Sequence, residues 1–246
     1  MFIHTIDPTL FKIGFLEIRF YGIVYVLGFL LSYYILNKNR EKLKLSREQV
    51  DNLSFYFLIG LIIGARIFHF LFNDVSIFYR DPLELFKIWH GGMSFYGGFL
   101  GALIASYLYI KNKLIDFADL IVIPISFALI LARFANFLNS EIVGTVTNLP
   151  WCVVFTAYDQ LCRHPYQLYG VISLSLLFAA LLIIRKKKVK KGILFLSFIA
   201  GYSLLRIITD FFREDLRFLG LTPWQYVSIL ILVIVLAILI KNHAIW

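Results

Sequence analysis

Charge is scarce in this chain, and negative charge scarcer still. Only 16% of the 246 residues are charged, against about 25% in a typical soluble domain. The 24 Lys and Arg outnumber the 15 Asp and Glu, and 60% of the residues are hydrophobic. Several near-uncharged runs approach the ~20 residues that cross a ~30 Å hydrocarbon core. An ordinary soluble domain is excluded. Low-complexity tracts, soluble-domain linkers and clear internal repeats are lacking. No secretory leader is expected, because Asp7 and Glu17 interrupt the first apolar stretch. Two cysteines are present, Cys152 and Cys162, without CxxC spacing, so no metal site is expected. A small-loop disulfide and two separate thiols are both compatible with them.

What is present is a succession of apolar spans. Seven segments stand out: 20–36, 53–72, 93–110, 117–132, 166–184, 193–209 and 224–240. They predict an all-α integral membrane protein of one polytopic domain, with seven transmembrane helices and an outer-face loop region over 133–165. The net charge of +9 does not indicate nucleic acid, since the basic residues fall in short loops between apolar segments. Lys38, Arg40, Lys42, Lys44 and Arg47 share one side with Lys111, Lys113, the six cations of 185–191 and Lys241. The positive-inside rule makes that side cytoplasmic. The N-terminus is therefore expected outside and the C-terminus in the cytoplasm.

This orientation gathers polar residues at one leaflet. Tyr21, Arg66, the start of the 93–110 segment, the exit of the 117–132 segment, the start of 166–184 and Arg206 with Asp210 all fall on the outer side. Charged groups at hydrocarbon depth cost roughly 2.5–3.5 kcal/mol each on insertion scales, so they mark pairing or function. At the exit of 117–132 stand Arg133, Asn136, Asn139 and Glu141. An arginine fork suits a phosphate, while an Arg133–Glu141 ion pair would merely lock a helix end. In the run from Gly91 to Gly98, followed by Gly101, glycines permit either a lipid-admitting turn or close helix packing. The run Arg163-His164-Pro165-Tyr166-Gln167-Leu168-Tyr169 opens a helix with proline in its first turn. Its histidine is either a base or structural, and its tyrosines can be interfacial anchors. Tyr202, Arg206 and Asp210 lie at i, i+4 and i+8 on one helix face. They form either a cavity lining or an intrahelical pair with a tyrosine above it. His69 and His90 stay ambiguous, and Lys186, Lys187 and Lys188 read as cytoplasmic anchors.

Together these segments resemble the prolipoprotein diacylglyceryl transferase family. Residues 132–144 match its signature, Gly-Arg-x-x-Asn-Phe-x-Asn-x-Glu-x-x-Gly, except that Ala132 replaces the first glycine. The segments 91–98, 163–169 and 201–215, with Phe20-Tyr21-Gly22 and Gly64-Ala65-Arg66-Ile67, are similar to further family motifs. The resemblance runs in order from about residue 8 to residue 240. It implies a reaction at the outer leaflet of the bacterial cytoplasmic (inner) membrane. The diacylglyceryl group of phosphatidylglycerol moves to the lipobox cysteine thiol of a preprolipoprotein, the first step of lipoprotein maturation. The implied partners are phosphatidylglycerol, the lipobox peptide and membrane lipids, with no cofactor or metal.

The resemblance makes Tyr96, Arg133, Glu141 and Arg206 the catalytic residues, with Arg133 and Arg206 on the phosphate. It makes Tyr21, Arg66, Asn136, Asn139, His164, Gln167, Tyr202 and Asp210 the substrate-binding ones. Three departures stand out. Tyr96 occupies the place of the family's proton-accepting histidine, and a tyrosine of pKa ~10 is a poor base at neutral pH. The proton acceptor is therefore open among Tyr96, Glu141, His164 and Asp210. Gly170 stands where a glutamate is usual, and Asp210 stands for a longer glutamate. The outer loop 144–163 is short for the family. A paralogue with another acceptor and a non-enzymatic lipid-binding protein are the rival readings.

Overall fold

The seven apolar segments each coincide with a helix, although 93–110 begins two residues before its helix does. The computed structural model describes residues 2–13, 16–73, 75–87, 92–187 and 189–243. The helices are α1 (Phe20–Lys38), α2 (Arg47–Asn73), the short α3 (Ile77–Arg80), α4 (Phe95–Ile110), α5 (Leu114–Leu138), α6 (Tyr166–Lys186), α7 (Ile193–Thr209) and α8 (Pro223–His243). Among the described residues, five stretches are long and apolar enough to cross a membrane: 47–72, 96–138, 166–186, 193–212 and 223–241. The 43-residue stretch contains both α4 and α5, separated by a 3₁₀ turn at Lys111–Lys113. The apolar part of α1, Gly22–Lys38, is shorter.

Local chemistry sets the helix ends. Ser46 and Gln49 form a reciprocal capping box at the start of α2, each side chain accepting the other's backbone N–H. Thr222 and Gln225 repeat it at α8. Gln225 also donates to the Ile207 carbonyl at 2.8 Å, which ties α8 to α7. At the start of α7, Asp119 of α5 accepts the N–H groups of Gly192 and Phe195 at 2.6 and 2.8 Å. A carboxylate at a helix N-terminus is favoured by the orphan N–H groups and the macrodipole.

The chain divides into two compact units, residues 1–32 with 118–246, and residues 33–117. In the first, Val122 of α5, Leu174, Leu177 and Leu181 of α6, and Leu194 and Phe198 of α7 form the main apolar core. In the second, α2 packs on α4 through glycines. A Cβ on Gly60 would meet the Gly101 carbonyl oxygen at 2.5 Å and Ala105 Cβ at 2.6 Å, and one on Gly64 would lie 2.9 Å from Gly101 Cα. Of the two readings of the glycine-rich run, helix packing is realised at Gly97 and Gly101.

The all-α expectation omitted a small β cap. In the first unit β1 (Phe2–His4) pairs in parallel with β4 (Val153–Phe155), which pairs antiparallel with β5 (Cys162–Arg163). A hairpin joins β2 (Thr9–Ile13) to β3 (Leu16–Arg19). Strands of two to five residues carry too few alternations to register as a period. Cys152 and Cys162 are joined by a disulfide, with Cα atoms 5.4 Å apart. It closes the loop between β4 and β5, so the disulfide reading holds and separate thiols do not.

The glycine contact gives a direct expectation. Gly64→Val should lower the thermal midpoint of the detergent-solubilised protein by the equivalent of about 1–3 kcal/mol, the usual cost of overpacking. Gly98→Ala, whose Cβ would sit 3.3 Å from the Leu61 oxygen, should cost less. Equal effects would contradict the packing described.

Candidate functional site

The sequence places Arg133 at the exit of its helix, but α5 continues to Leu138, so Arg133 and Asn136 are helical and the loop region begins later than residue 133. The continuation is favoured by Phe134, Ala135, Phe137 and Leu138, which extend the apolar face. Arg133 lies across α6. Its guanidinium carbon is 5.7 Å from the centre of the Tyr166 ring, a cation–π distance. A Cβ on Gly170 would be 3.0 Å from Arg133 Cδ and 3.1 Å from Cγ. The missing side chain at 170 is thus the bed on which the arginine stem rests. No ion pair joins Arg133 to Glu141 among the described residues; Glu141 is held by asparagines instead.

Arg133 opens onto a cleft between α5, α6 and α7. Tyr166, Ser173, Tyr202, Arg206 and Thr209 line it with Arg133. Its enclosed space is about 20 Å³, room for one water molecule. Tyr202 and Arg206 share the face expected from their spacing. Asp210 does not line this cleft. Its carboxylate is fully buried, accepts the Tyr166 hydroxyl at 2.6 Å and lies 3.0 Å from Arg206 Nε. That ion pair is a charge contact rather than an aligned hydrogen bond. The intrahelical Arg206–Asp210 pair and the cavity-lining reading are therefore both realised: Asp210 holds Arg206, and Arg206 lines the cleft. Asp210, so enclosed, is a poor proton acceptor for any incoming group.

Beyond α5 the chain makes an unusual turn. Asn136 Nδ2 donates to Glu141 Oε2 at 3.1 Å, and Asn139 Nδ2 to Oε1 at 3.3 Å. Gln167 Nε2 donates to the Glu141 carbonyl at 2.7 Å, and the Glu141 N–H donates to the Asn136 carbonyl at 2.9 Å. Residues 140 and 142, on either side, are left-handed, with φ of 55° and 53°. Such conformations in non-glycine residues cost of order 1–3 kcal/mol each and persist only where the surroundings over-determine them. The turn aims the Glu141 carboxylate back at both asparagines. The signature's last residue, Gly144, is wedged between His164 and Phe212: a Cβ there would lie 2.7 Å from His164 Cβ and 2.8 Å from the Phe212 oxygen.

The 163–169 run anchors the cap. Arg163 forks onto Asp159, donates to the Gly144 carbonyl at 3.0 Å, and reaches Glu214 at 3.1 Å. His164 Nδ1 is 3.0 Å from the Tyr169 hydroxyl, which accepts from Trp151 Nε1 at 2.9 Å. The imidazole also packs on Phe212, with ring centres 5.1 Å apart. Burial lowers the His164 pKa. Its structural reading is the one these contacts favour.

In the second unit, Arg66 is buried and donates to the backbone carbonyls of Glu84, Leu85, Lys87 and Gly92. It also lies over Phe70, 4.6 Å from the ring centre. Its guanidinium therefore ties residues 84–87 and Gly92 to α2. Tyr96 is half-buried in the first turn of α4, beyond the Ser94 N-cap. Gly92, with φ of 73°, is pressed against His69; a Cβ there would be 2.7 Å from His69 Nε2. Tyr21 stands in α1, and its side chain, His90, Gly91 and Lys188 lie outside the described residues.

Two residues of this region have roles that the sequence does not signal. Tyr166 reads as an interfacial anchor but binds Asp210 and faces Arg133. His4, far from every motif, is buried with its Nδ1 3.1 Å from Ser140 Oγ.

Burial also lowers the His4 pKa. Both histidines are thus held neutral where the unfolded chain would protonate, near pH 6.5. Their contribution is neutral above that pH and becomes destabilising below it, as the unfolded state takes up protons that the folded cap refuses. The unfolding midpoint should fall between pH 6.5 and 5 and be flat from 7 to 8. A midpoint that rises on acidification would contradict this.

Comparison with known proteins bears on the site. The family model described as prolipoprotein diacylglyceryl transferase matches residues 8–241. A phosphatidylglycerol–prolipoprotein diacylglyceryl transferase of Geobacter sulfurreducens is 39% identical over 222 residues, covering 88% of this chain and 85% of that protein. Proteins of the same name from Vibrio parahaemolyticus and Vibrio cholerae are 40% and 39% identical, covering 88% of this chain and 82% of theirs. With the family model spanning nearly the whole sequence and the signature residues built into one cleft and one turn, the chain belongs to the prolipoprotein diacylglyceryl transferase family.

Proposed function

We propose that this protein transfers the diacylglyceryl group from phosphatidylglycerol to the lipobox cysteine thiol of preprolipoproteins. The observation that carries the reading is the arginine-lined cleft between α5, α6 and α7. Arg133 rests on Gly170 with no carboxylate at its guanidinium among the described residues, and Arg206 is steadied by Asp210. Two cations at a lipid-facing depth suit one phosphodiester anion. The sulfur of the deprotonated thiol attacks the glyceryl carbon that bears the phosphate. The new C–S bond is a thioether, and the C–O bond breaks with its electron pair on the phosphate oxygen. Glycerol phosphate leaves, and Arg133 and Arg206 stabilise the charge that develops there.

Asn136, Asn139 and Glu141 orient the headgroup, Tyr202 lines the cleft, and Gln167 holds the turn at the Glu141 carbonyl. Tyr21, Tyr96, Arg66 and His164 serve the same reaction by resemblance. For Arg66 and His164 the contacts favour holding loops in place. The positive loops favour seven crossings, with the N-terminus outside and the chemistry at the outer leaflet of the cytoplasmic membrane.

The test supplies purified protein with phosphatidylglycerol vesicles and a lipobox peptide. A peptide gaining the mass of a diacylglyceryl group, with release of glycerol phosphate, is expected. Arg133→Ala should lower kcat by about 100-fold or more, as loss of one transition-state charge donor does. Glycerol phosphate release without peptide modification would point to another acceptor. Binding of the lipid without any product would leave only a lipid-binding protein.

A further inference from the structure

The N-terminal strand carries a buried imidazole that the reaction just described does not use. His4 is 1% exposed. Its ring packs edge-on against Phe137 of α5 at 4.9 Å and lies 5.4 Å from Phe155 of β4. Its backbone carbonyl accepts the Thr156 hydroxyl at 2.8 Å, and β1 is in parallel register with β4. The imidazole is thus fixed through its backbone and by two aromatic neighbours. Its Nδ1 meets Ser140 Oγ at 3.1 Å, while Nε2 is sealed from solvent with no hydrogen-bond partner among the described residues. Ser140 is the left-handed residue between Asn139 and Glu141. Its φ sets whether the Glu141 carboxylate faces the two asparagines or points elsewhere.

We infer that His4 is a positioning residue for the transfer reaction: through the Ser140 hydroxyl it holds the Asn139–Glu141 turn in the left-handed form that sets Glu141 against Asn136. The inference rests on the proposed function, and it places a requirement on the N-terminal strand that none of the recognised motifs contains. The effect passes along one path, His4 to Ser140 to the turn. It touches neither the arginines nor the lipid. A side chain that cannot hydrogen-bond at Nδ1 frees the serine, and the turn relaxes toward ordinary backbone angles.

The experiment is a double-mutant cycle on the full-length protein in phosphatidylglycerol vesicles, using His4→Ala, Ser140→Ala and the pair. Each single variant should lower kcat about tenfold, with KM for the lipobox peptide little changed. The double variant should be no slower than the slower single, because both remove the same contact. His4→Asn, whose amide reaches the Nδ1 position, should recover most of the rate. Ser140→Ala leaves the ring packing intact, so it reports even if His4→Ala does not fold. Multiplicative losses in the double variant overturn the inference. So does a wild-type kcat in the folded fraction of Ser140→Ala, or a His4→Asn protein as slow as His4→Ala. Absence of transfer by the wild-type protein would instead overturn the proposed function.

Discussion

A carboxylate with no access to water must be matched where it stands, and Asp210 is matched twice. The Tyr166 hydroxyl donates to one oxygen, and Arg206 lies against the other. Breaking a buried pair by removing one partner typically costs 3–5 kcal/mol, because it strands a charge. The three residues therefore act as one unit that fixes α6 against α7. Everything at the cleft follows from that. Tyr166, anchored at its hydroxyl, presents its ring face to Arg133. Arg206, anchored at its Nε edge, lines the cleft with what remains of its fork. The arginine of α5 is held by an aromatic face and a glycine, the arginine of α7 by a carboxylate. One is steadied without neutralisation and the other with it.

The signature turn follows a different logic. Its polar groups satisfy one another: two asparagine amides on one carboxylate, and a glutamine on the carbonyl behind it. Two left-handed residues are the cost of that arrangement. The cap provides the surroundings that hold them, through the disulfide, the Arg163 fork and the wedge of Gly144 between His164 and Phe212. Strain at a turn carrying the most specific motif of the chain fits the general tendency of strained backbone to gather at functional sites.

How much of this was legible in the sequence depends on what kind of signal each part leaves. The seven long helices leave composition and length, and each was visible. Helix ends were less so: α5 runs past Ala132 to Leu138 because a single arginine on an apolar helix does not stop it. The face shared by Tyr202 and Arg206 follows from spacing alone. The partnership of Tyr166 with Asp210 does not, since it joins residues on two helices, and only three-dimensional packing brings them together. The expected choice between Arg133 pairing with Glu141 and standing unpaired could not be made from spacing, and it is decided by Asn136 and Asn139 reaching the carboxylate first. The cap was invisible because its strands are shorter than a hydrophobic period. His4 was invisible because a lone histidine beside Ile3 and Thr5 carries no pattern. Tyr96, in the place of an expected histidine, stands out in the sequence, because a motif makes its exceptions conspicuous.

The parallel pairing of β1 with β4 has a consequence in time rather than in space. Phe2 emerges before its partner Val153, which follows only after α1 to α5 have been made. Chain elongation proceeds at roughly 5–20 residues per second, so the first strand waits on the order of ten seconds or more for its neighbour. Contacts so distant in sequence are the slow ones to close. The cap can be completed only late, and with it the support beneath the signature turn. A nascent chain of this protein would present Arg133 before β4 arrives to support the turn beside it, and Arg206 of α7 only afterwards, so its site would be assembled in stages.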